Sequence, residues 1–401
     1  MSRFRRFTVY PQRHSTAKLP CLDNENPPHP MRFCLVSTQE HWGGGESLLA
    51  SIGSQWIRAG HSVSCIVRHN CEVERHALEH GATILHATQK RGSNVFDWWA
   101  IRRVLREWSP DVVVLNDSHA VPLVGSAALF CRQPRPLRLA FKHTVFRLNS
   151  ALKYRLLCDK MVCVSQAAWQ VACDGGLPVG HVEMIHGGCP PLASEPGARE
   201  EVRAELQLAP TQRLLVCVGN LLECKGHSDL IEAMALLAPA YPELVAVIAG
   251  QGDEQERLGD LIASRGLVRK VRLLGYRRDA QRLLDAADVV VHPSHAEGLS
   301  LVLIQAQMLG KPIVATAIGG AQEVLAAGTD ECSSWIAEPS NPASLAARCI
   351  EALTAIADSN PALDRKLQAT AARTREQFSV ATTAQKWIDL VSHMQEKRKT
   401  N

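Results

Sequence analysis

The sequence predicts an α/β protein made of two doubly wound parallel-sheet domains facing each other across a cleft. Three observations carry that expectation. From residue 31 onward, strand-like and helix-like segments alternate almost without exception, the pattern of βα units joined by right-handed crossovers. At 401 residues the chain exceeds what one hydrophobic core usually organises. Near its middle, the stretch HGGCPPLASEPGAR at 186–199 is rich in Gly and Pro and has no apolar period, which marks a linker. The expected division is a Rossmann-like domain over 31–187, a linker over 188–199, a second Rossmann-like domain over 200–378 and a last helical segment over 379–401.

The elements follow in order. Residues 1–30 are rich in Arg and Pro and lack any period, so they read as a disordered arm. Met31 is an alternative natural start, and contact with anionic lipid is an alternative role for the arm. Strands are expected at 32–37, 63–68, 111–115, 137–142 and 161–165, and in the second half at 214–219, 245–250, 271–275, 288–292 and 312–316. Each is a short apolar run rich in Val, Leu and Ile, as strands buried on both faces require. Amphipathic periods predict helices at 46–59, 96–108, 227–238 and 301–309, with a last one around 381–397. The stretch 112–130 comes nearest to a membrane span, but Asn116, Asp117 and His119 interrupt it. No secretory apolar region lies near the N-terminus. The thirteen cysteines are scattered without a CxxC, which reads as reduced thiols in a cytosolic protein. Cys71, His76 and His80 form a zinc-like trace that lacks a fourth ligand.

The most informative segment is 288–324, DVVVHPSHAEGLSLVLIQAQMLGKPIVATAIGGAQEV. A buried strand ends at Pro293, and Glu297-Gly298-Leu299-Ser300 turns into a helix. Backbone N–H groups and the helix dipole at such a turn attract anions. Beside those donors, Glu297 is an acceptor for hydroxyls. Donors for phosphate next to an acceptor for hydroxyls suit a sugar joined to a diphosphate. Lys225-Gly226-His227 opens another helix, where a cation would meet such a diphosphate. Trp42-Gly43-Gly44-Gly45-Glu46 follows the first strand; its glycines permit close approach of backbone to ligand. It is not a GxGxxG fingerprint, which disfavours a dinucleotide cofactor.

These residues resemble the donor-site signature of retaining glycosyltransferases of the GT-B type, family 4. The elements are Pro293-Ser294, Glu297-Gly298-Leu299-Ser300-Leu301, position 305, Gly310-Lys311-Pro312-Ile313 and Gly319-Gly320. The resemblance implies that Glu297 accepts from donor-sugar hydroxyls and that the backbone at Gly298, Leu299, Ser300 and Leu301 faces the phosphate. It implies that Lys225 neutralises the leaving diphosphate, so that no divalent ion or other cofactor is required. Two positions depart from the pattern: Gln305 stands where the family carries a second glutamate for the ribose, and Asn220 where many members carry arginine. Gly250 and Gly252 match a loop near the base or ribose, and Gly275 and Asp279 a loop near the nucleobase. Gly43 and Gly44 match a loop against the donor phosphates, and His119 a histidine near the donor sugar. His143, after the 137–142 strand, is a second and weaker candidate.

Charge is uneven: 22 Lys and Arg stand against 14 Asp and Glu up to residue 190, and 22 against 26 after it. Arg135, Arg138, Lys142, His143 and Arg147 lie in the densest basic stretch, 132–160. Such a face suits an anionic acceptor or an anionic membrane surface, or is simply solvated. No motif for nucleic acid accompanies it. The expected activity is sugar transfer from a nucleotide-diphosphate sugar to a glycan or glycolipid acceptor, in cell-surface polysaccharide or lipopolysaccharide biosynthesis, on the cytoplasmic side of the membrane. Three rivals stand: a nucleotide-sugar epimerase of the same fold, a catalytically impaired homologue acting as a binding or scaffold protein, and a dinucleotide-dependent oxidoreductase.

Overall fold

The computed structural model describes residues 30–400 apart from 41, 70, 86–94, 132–133 and 359. The arm expected over 1–30 thus falls almost wholly outside the described residues, as does Arg132.

The first sheet holds seven strands: β1 (Arg32–Val36), β2 (Ser62–Ile66), β3 (Thr83–Ile84), β4 (Val112–Leu115), β5 (Leu137–Lys142), β6 (Lys160–Cys163) and β7 (Val182–Met184). The second holds six: β8 (Arg213–Val218), β9 (Leu244–Ala249), β10 (Val271–Gly275), β11 (Val289–His292), β12 (Ile313–Thr316) and β13 (Trp335–Ala337). Their orders are β3-β2-β1-β4-β5-β6-β7 and β10-β9-β8-β11-β12-β13. Every strand pairing is parallel, for example Phe33 opposite Val112 and Val63 in the first sheet and Leu215 opposite Val289 in the second. Helices cover both faces, so the central strands are buried throughout: β4 and β9 have no exposed residue.

Ten strands were expected, and the three additional ones, β3, β7 and β13, are all edge strands of two or three residues. An edge strand has one neighbour and needs no apolar run on both faces, so composition does not announce it. The segment 112–130 is strand β4 followed by short helical turns. Among the described residues, no helix is long and apolar enough to cross a membrane. The twelve described cysteines are all free, and seven of them are buried.

In each sheet the strand order reverses once, between β1 and β4 and between β8 and β11. Loops diverge there to opposite faces and leave a crevice beyond the carboxyl ends of the strands. The two crevices face each other.

The last helix, Val380–Thr400, leaves the second domain and packs on the first, against the helix Gly44–Arg58. Trp56 is stacked on Phe33 at 4.0 Å, donates Nε1–H to the Ala384 carbonyl at 3.1 Å, and meets Trp387 edge-on at 6.0 Å. Trp387 is fully buried and also touches Phe141. Its own Nε1–H finds no acceptor among the described residues. Trp387→Ala should therefore lower stability by about 3–5 kcal/mol, the usual cost of emptying a buried aromatic site. Trp387→Phe should cost far less, because no hydrogen bond is lost. Urea denaturation of the two variants measures both.

Candidate functional site

The facing crevices enclose a cleft of about 680 Å³. From the first domain it takes Gly43–Gly45 after β1, Asn116–Ser118 after β4 and Lys142–Asn149 after β5. From the second it takes Asn220 and Lys225 after β8 and Ala296–Leu299 after β11. Glu297, Gly298, Leu299, Leu301, Lys225, Asn220, Gly43, Gly44, Lys142, His143 and Arg147 thus come together at one place.

At its centre lies the Glu297 carboxylate, 7% exposed. Oε2 accepts from Lys225 Nζ at 2.7 Å and faces His292 Nε2 at 3.1 Å and Ser294 Oγ at 3.4 Å. Burial alone would raise the carboxyl's pKa. The His292 hydrogen bond and the Lys225 charge outweigh it and bring it down to about 2. A carboxyl held below its ordinary range keeps its charge at every pH above that range and loses it only as pH falls toward about 2. Glu297 is therefore an acceptor, not an acid, under physiological conditions.

Local structure explains the placement. Ser300 caps the helix Leu301–Met308 by accepting from Leu303 N at 3.3 Å. The fully buried Ser294 donates to the Cys224 carbonyl and so ties the Glu297 loop to the Lys225 turn. His227 donates Nε2–H to the Asn220 carbonyl at 3.0 Å, and burial brings its pKa down to about 4, so it is a neutral brace for the β8 turn.

The two domains touch at this loop. A Cβ on Gly298 would lie 2.1 Å from the His143 carbonyl oxygen, and a Cβ on Gly45 would lie 2.4 Å from the His143 ring. Glycine is thus required at both positions for His143 to sit between them. Burial lowers the His143 pKa, against a hydrogen bond with the Asn116 backbone, so the ring is neutral at pH 7. Lys142 is buried, and its Nζ donates to the Phe146 carbonyl at 2.8 Å, closing the loop that carries His143.

The geometry reorders several candidates. His119 is exposed and does not line the cleft; Asp117 accepts from the His119 and Ala120 amides, and the turn so formed carries the imidazole away. His143 does line the cleft. Arg135 and Arg138 lie at the amino end of β5 or before it, and parallel strands present only their carboxyl ends to the cleft. Arg138 is buried against Asp159 at 3.0 Å, and Arg398 joins the same carboxylate. Gly250 and Gly252 do not line the cleft. A Cβ on Gly250 would meet the Gly219 carbonyl at 1.8 Å, so this glycine serves the packing of two loops. Ser300 acts as the helix cap, and Gln305 is half-buried on that helix without lining the cleft. Among the described residues no group of His, Cys, Asp and Glu could hold a metal. Cys71 caps the helix Glu72–Glu79, and His76 and His80 pack near Trp42.

Three residues in or behind the cleft walls were not singled out by the sequence reading, and of them only Glu46 lines the cleft. Glu46 is buried, accepts from Asn116 Nδ2 at 2.8 Å, and has its pKa raised by burial. Its position directly after the glycine run was a usable signal. His292 precedes Pro293 at the end of a strand. Glu323 follows Gly319-Gly320, and only the fold shows what it touches.

Comparison with known proteins follows the same two-domain division. The family model described as Glycosyltransferase Family 4 matches residues 42–191, and that described as Glycosyl transferases group 1 matches residues 198–369. The chain is 28% identical over 319 residues to the lipopolysaccharide core biosynthesis glycosyltransferase LpsD of Rhizobium meliloti, covering 79% of this chain and 85% of that one. It is 33% identical over 144 residues to a D-inositol 3-phosphate glycosyltransferase of Mycolicibacterium gilvum, covering 35% of this chain and only 33% of that protein. With the Escherichia coli lipopolysaccharide glucosyltransferase WaaG it shares 28% identity over 50% of this chain and 52% of that one. In fold it is similar to HepE of Anabaena, whose crystal structure holds UDP-glucose. The TM-score is 0.78 at 21% identity, over 90% of this chain and 100% of that one. Two family models that between them span both domains, on two facing doubly wound sheets, show that the chain belongs to the group 1, family 4 glycosyltransferases of GT-B fold.

Proposed function

We propose that this protein transfers a sugar, with retention at the anomeric carbon, from a nucleotide-diphosphate sugar to a glycan or glycolipid acceptor in cell-surface polysaccharide or lipopolysaccharide biosynthesis. One observation carries the reading: the buried Glu297 is paired with the partly exposed Lys225 at the second switch point, beside a cleft whose opposite wall is Gly43–Gly45 and His143. In this reading the donor binds along the second domain, 200–378, and the acceptor along the first, 31–187. Lys225 meets the diphosphate as negative charge develops on it, Glu297 accepts from sugar hydroxyls, and His143 contacts the sugar from the acceptor side. Catalysis then rests on positioning and on stabilising the leaving group, with lysine supplying the positive charge. Nucleotide sugars of the UDP type are the first donors to test, since HepE was crystallised with UDP-glucose and with UDP. A nucleotide-sugar-binding protein without transfer activity is the second reading, favoured by Gln305 and Asn220.

The acceptor side also fits a peripheral contact with anionic lipid on the cytoplasmic face of the membrane. Phe146, Leu152 and Leu156 are each 61% exposed, and the cations Arg147 and Arg155 are exposed among them. Apolar side chains with interleaved cations suit such a surface.

Three outcomes are expected. A thermal-shift screen of UDP-, GDP-, ADP- and TDP-sugars should find one nucleotide family that stabilises the protein, and Lys225→Ala or Glu297→Gln should lower its turnover by about 10²–10³-fold, the cost of losing one charge-stabilising group. Binding of that donor in the parent, without release of nucleotide or transfer, would favour the second reading. Gln305→Glu should tighten donor binding by no more than about fivefold, since one hydrogen bond of about 1 kcal/mol is at stake. Leu152→Glu with Leu156→Glu should abolish co-sedimentation with vesicles containing phosphatidylglycerol while leaving the fold intact by circular dichroism.

A further inference from the structure

The helix Gln166–Asp174 belongs to the first domain, yet its amino end is capped from the second. Glu323 Oε2 accepts from Gln166 N at 2.9 Å and Oε1 from Ala167 N at 3.2 Å. The same carboxylate meets His186 Nε2 at 2.8 Å, in the segment that joins the domains. A carboxylate at a helix amino end, bonded to two free amides, is a favourable charge–dipole arrangement. The helix also has a cap of its own: Ser165 Oγ accepts from Ala168 N at 3.1 Å. The Ser165 hydroxyl in turn donates to the Gly298 carbonyl at 2.6 Å, in a buried position.

These contacts converge on the donor loop. Gly320 N donates to the Glu297 carbonyl at 3.0 Å, and a Cβ on Gly320 would lie 2.0 Å from the Gly298 carbonyl. The Gly319-Gly320 turn therefore lies flat on the Glu297-Gly298 backbone, and Glu323 extends from that turn to the first domain. On its other side, Gly298 abuts the His143 carbonyl. Hydrogen bonding to His186 and to the two amides outweighs the burial that would raise the Glu323 pKa, and lowers it. Glu323 is thus an anion held between domains, away from the Lys225–Glu297 centre.

We propose that Glu323 is a positioning residue: its carboxylate fastens the second domain to the amino end of the helix Gln166–Asp174 and thereby holds the Glu297-Gly298 loop in register with His143. The inference rests on the glycosyl-transfer reading for its effect on turnover, and on geometry alone for its effect on domain spacing. Removing Glu323 leaves the donor surface of the second domain intact and loosens its distance to the acceptor wall.

The test compares full-length E323A, E323Q and S165A with the parent protein. Four quantities are measured: radius of gyration by small-angle scattering, amide exchange at 166–168, affinity for UDP, and release of UDP from UDP-glucose or from whichever nucleotide sugar stabilises the parent. In E323A the radius of gyration should rise, and the 166–168 amides should exchange faster. Nucleotide affinity should stay within about threefold, while turnover falls by about tenfold or more, since small misplacements of reacting groups are costly. E323Q keeps an acceptor oxygen and should lie between; S165A should move turnover in the same direction. Unchanged turnover in both E323A and S165A would overturn the proposal. So would a loss of nucleotide affinity as large as the loss of turnover, because Glu323 would then be a structural part of the donor surface. If the parent binds no nucleotide sugar, the transfer reading fails, and scattering and exchange alone decide whether Glu323 fastens the domains.

Discussion

A parallel sheet confines its chemistry to one end. Strands β1, β4, β8 and β11 are buried on both faces, so polar groups with a task must lie beyond their carboxyl termini, where the backbone leaves the ladder. Two such sheets placed with these ends facing each other make one cleft from the short loops after β1, β4, β5, β8 and β11. All the residues of the proposed transfer reaction come from those loops. Arg138, at the wrong end of β5, ends in an ion pair with Asp159; Lys142 and His143, at the right end of the same strand, reach the cleft. Within this six-residue strand, one end holds a structural cation and the other opens on the site.

The Lys225–Glu297–His292 arrangement is poorly explained as a stabilising device. Burying a carboxylate with its partners roughly breaks even against an apolar core, and losing one partner leaves an uncompensated charge. In the proposed reaction its value is preorganisation. The ionised acceptor and the cation stand in place before any ligand arrives, and the desolvation has been met in folding. The neutral imidazoles of His227 and His143 contribute shape and hydrogen bonds without adding competing charge.

Much of this was legible in the residues. β5 and β10 fall within the expected bounds to the residue, because uninterrupted apolar runs between turn-forming residues have few alternatives. The loop from Glu297 to Leu301 was legible because an acidic residue, a glycine and a capping serine before a helix form a local pattern. The edge strands were not, since two or three residues carry no period. Nor was it legible that His143 lines the cleft and His119 does not: both follow strands, and only the fold shows the Asp117-capped turn. Glu323 had no local signal, because its amide partners lie 156 and 157 positions away. Contacts between domains are written in pairs of segments, and a single sequence does not show pairs.

The last helix has a consequence for the birth of the molecule. Trp56, near the beginning of the described chain, is completed by Ala384 and Trp387, 328 residues later in the case of its hydrogen bond. A ribosome delivers the first sheet long before it delivers the helix that seals it. The first domain therefore waits with an apolar face around Trp56 and Phe141 open, and closes only when the final helix has left the exit tunnel. Contacts of such long sequence separation slow folding and join both domains into one cooperative unit. A truncated chain loses more than its tail: it loses the lid on a core laid down at the start.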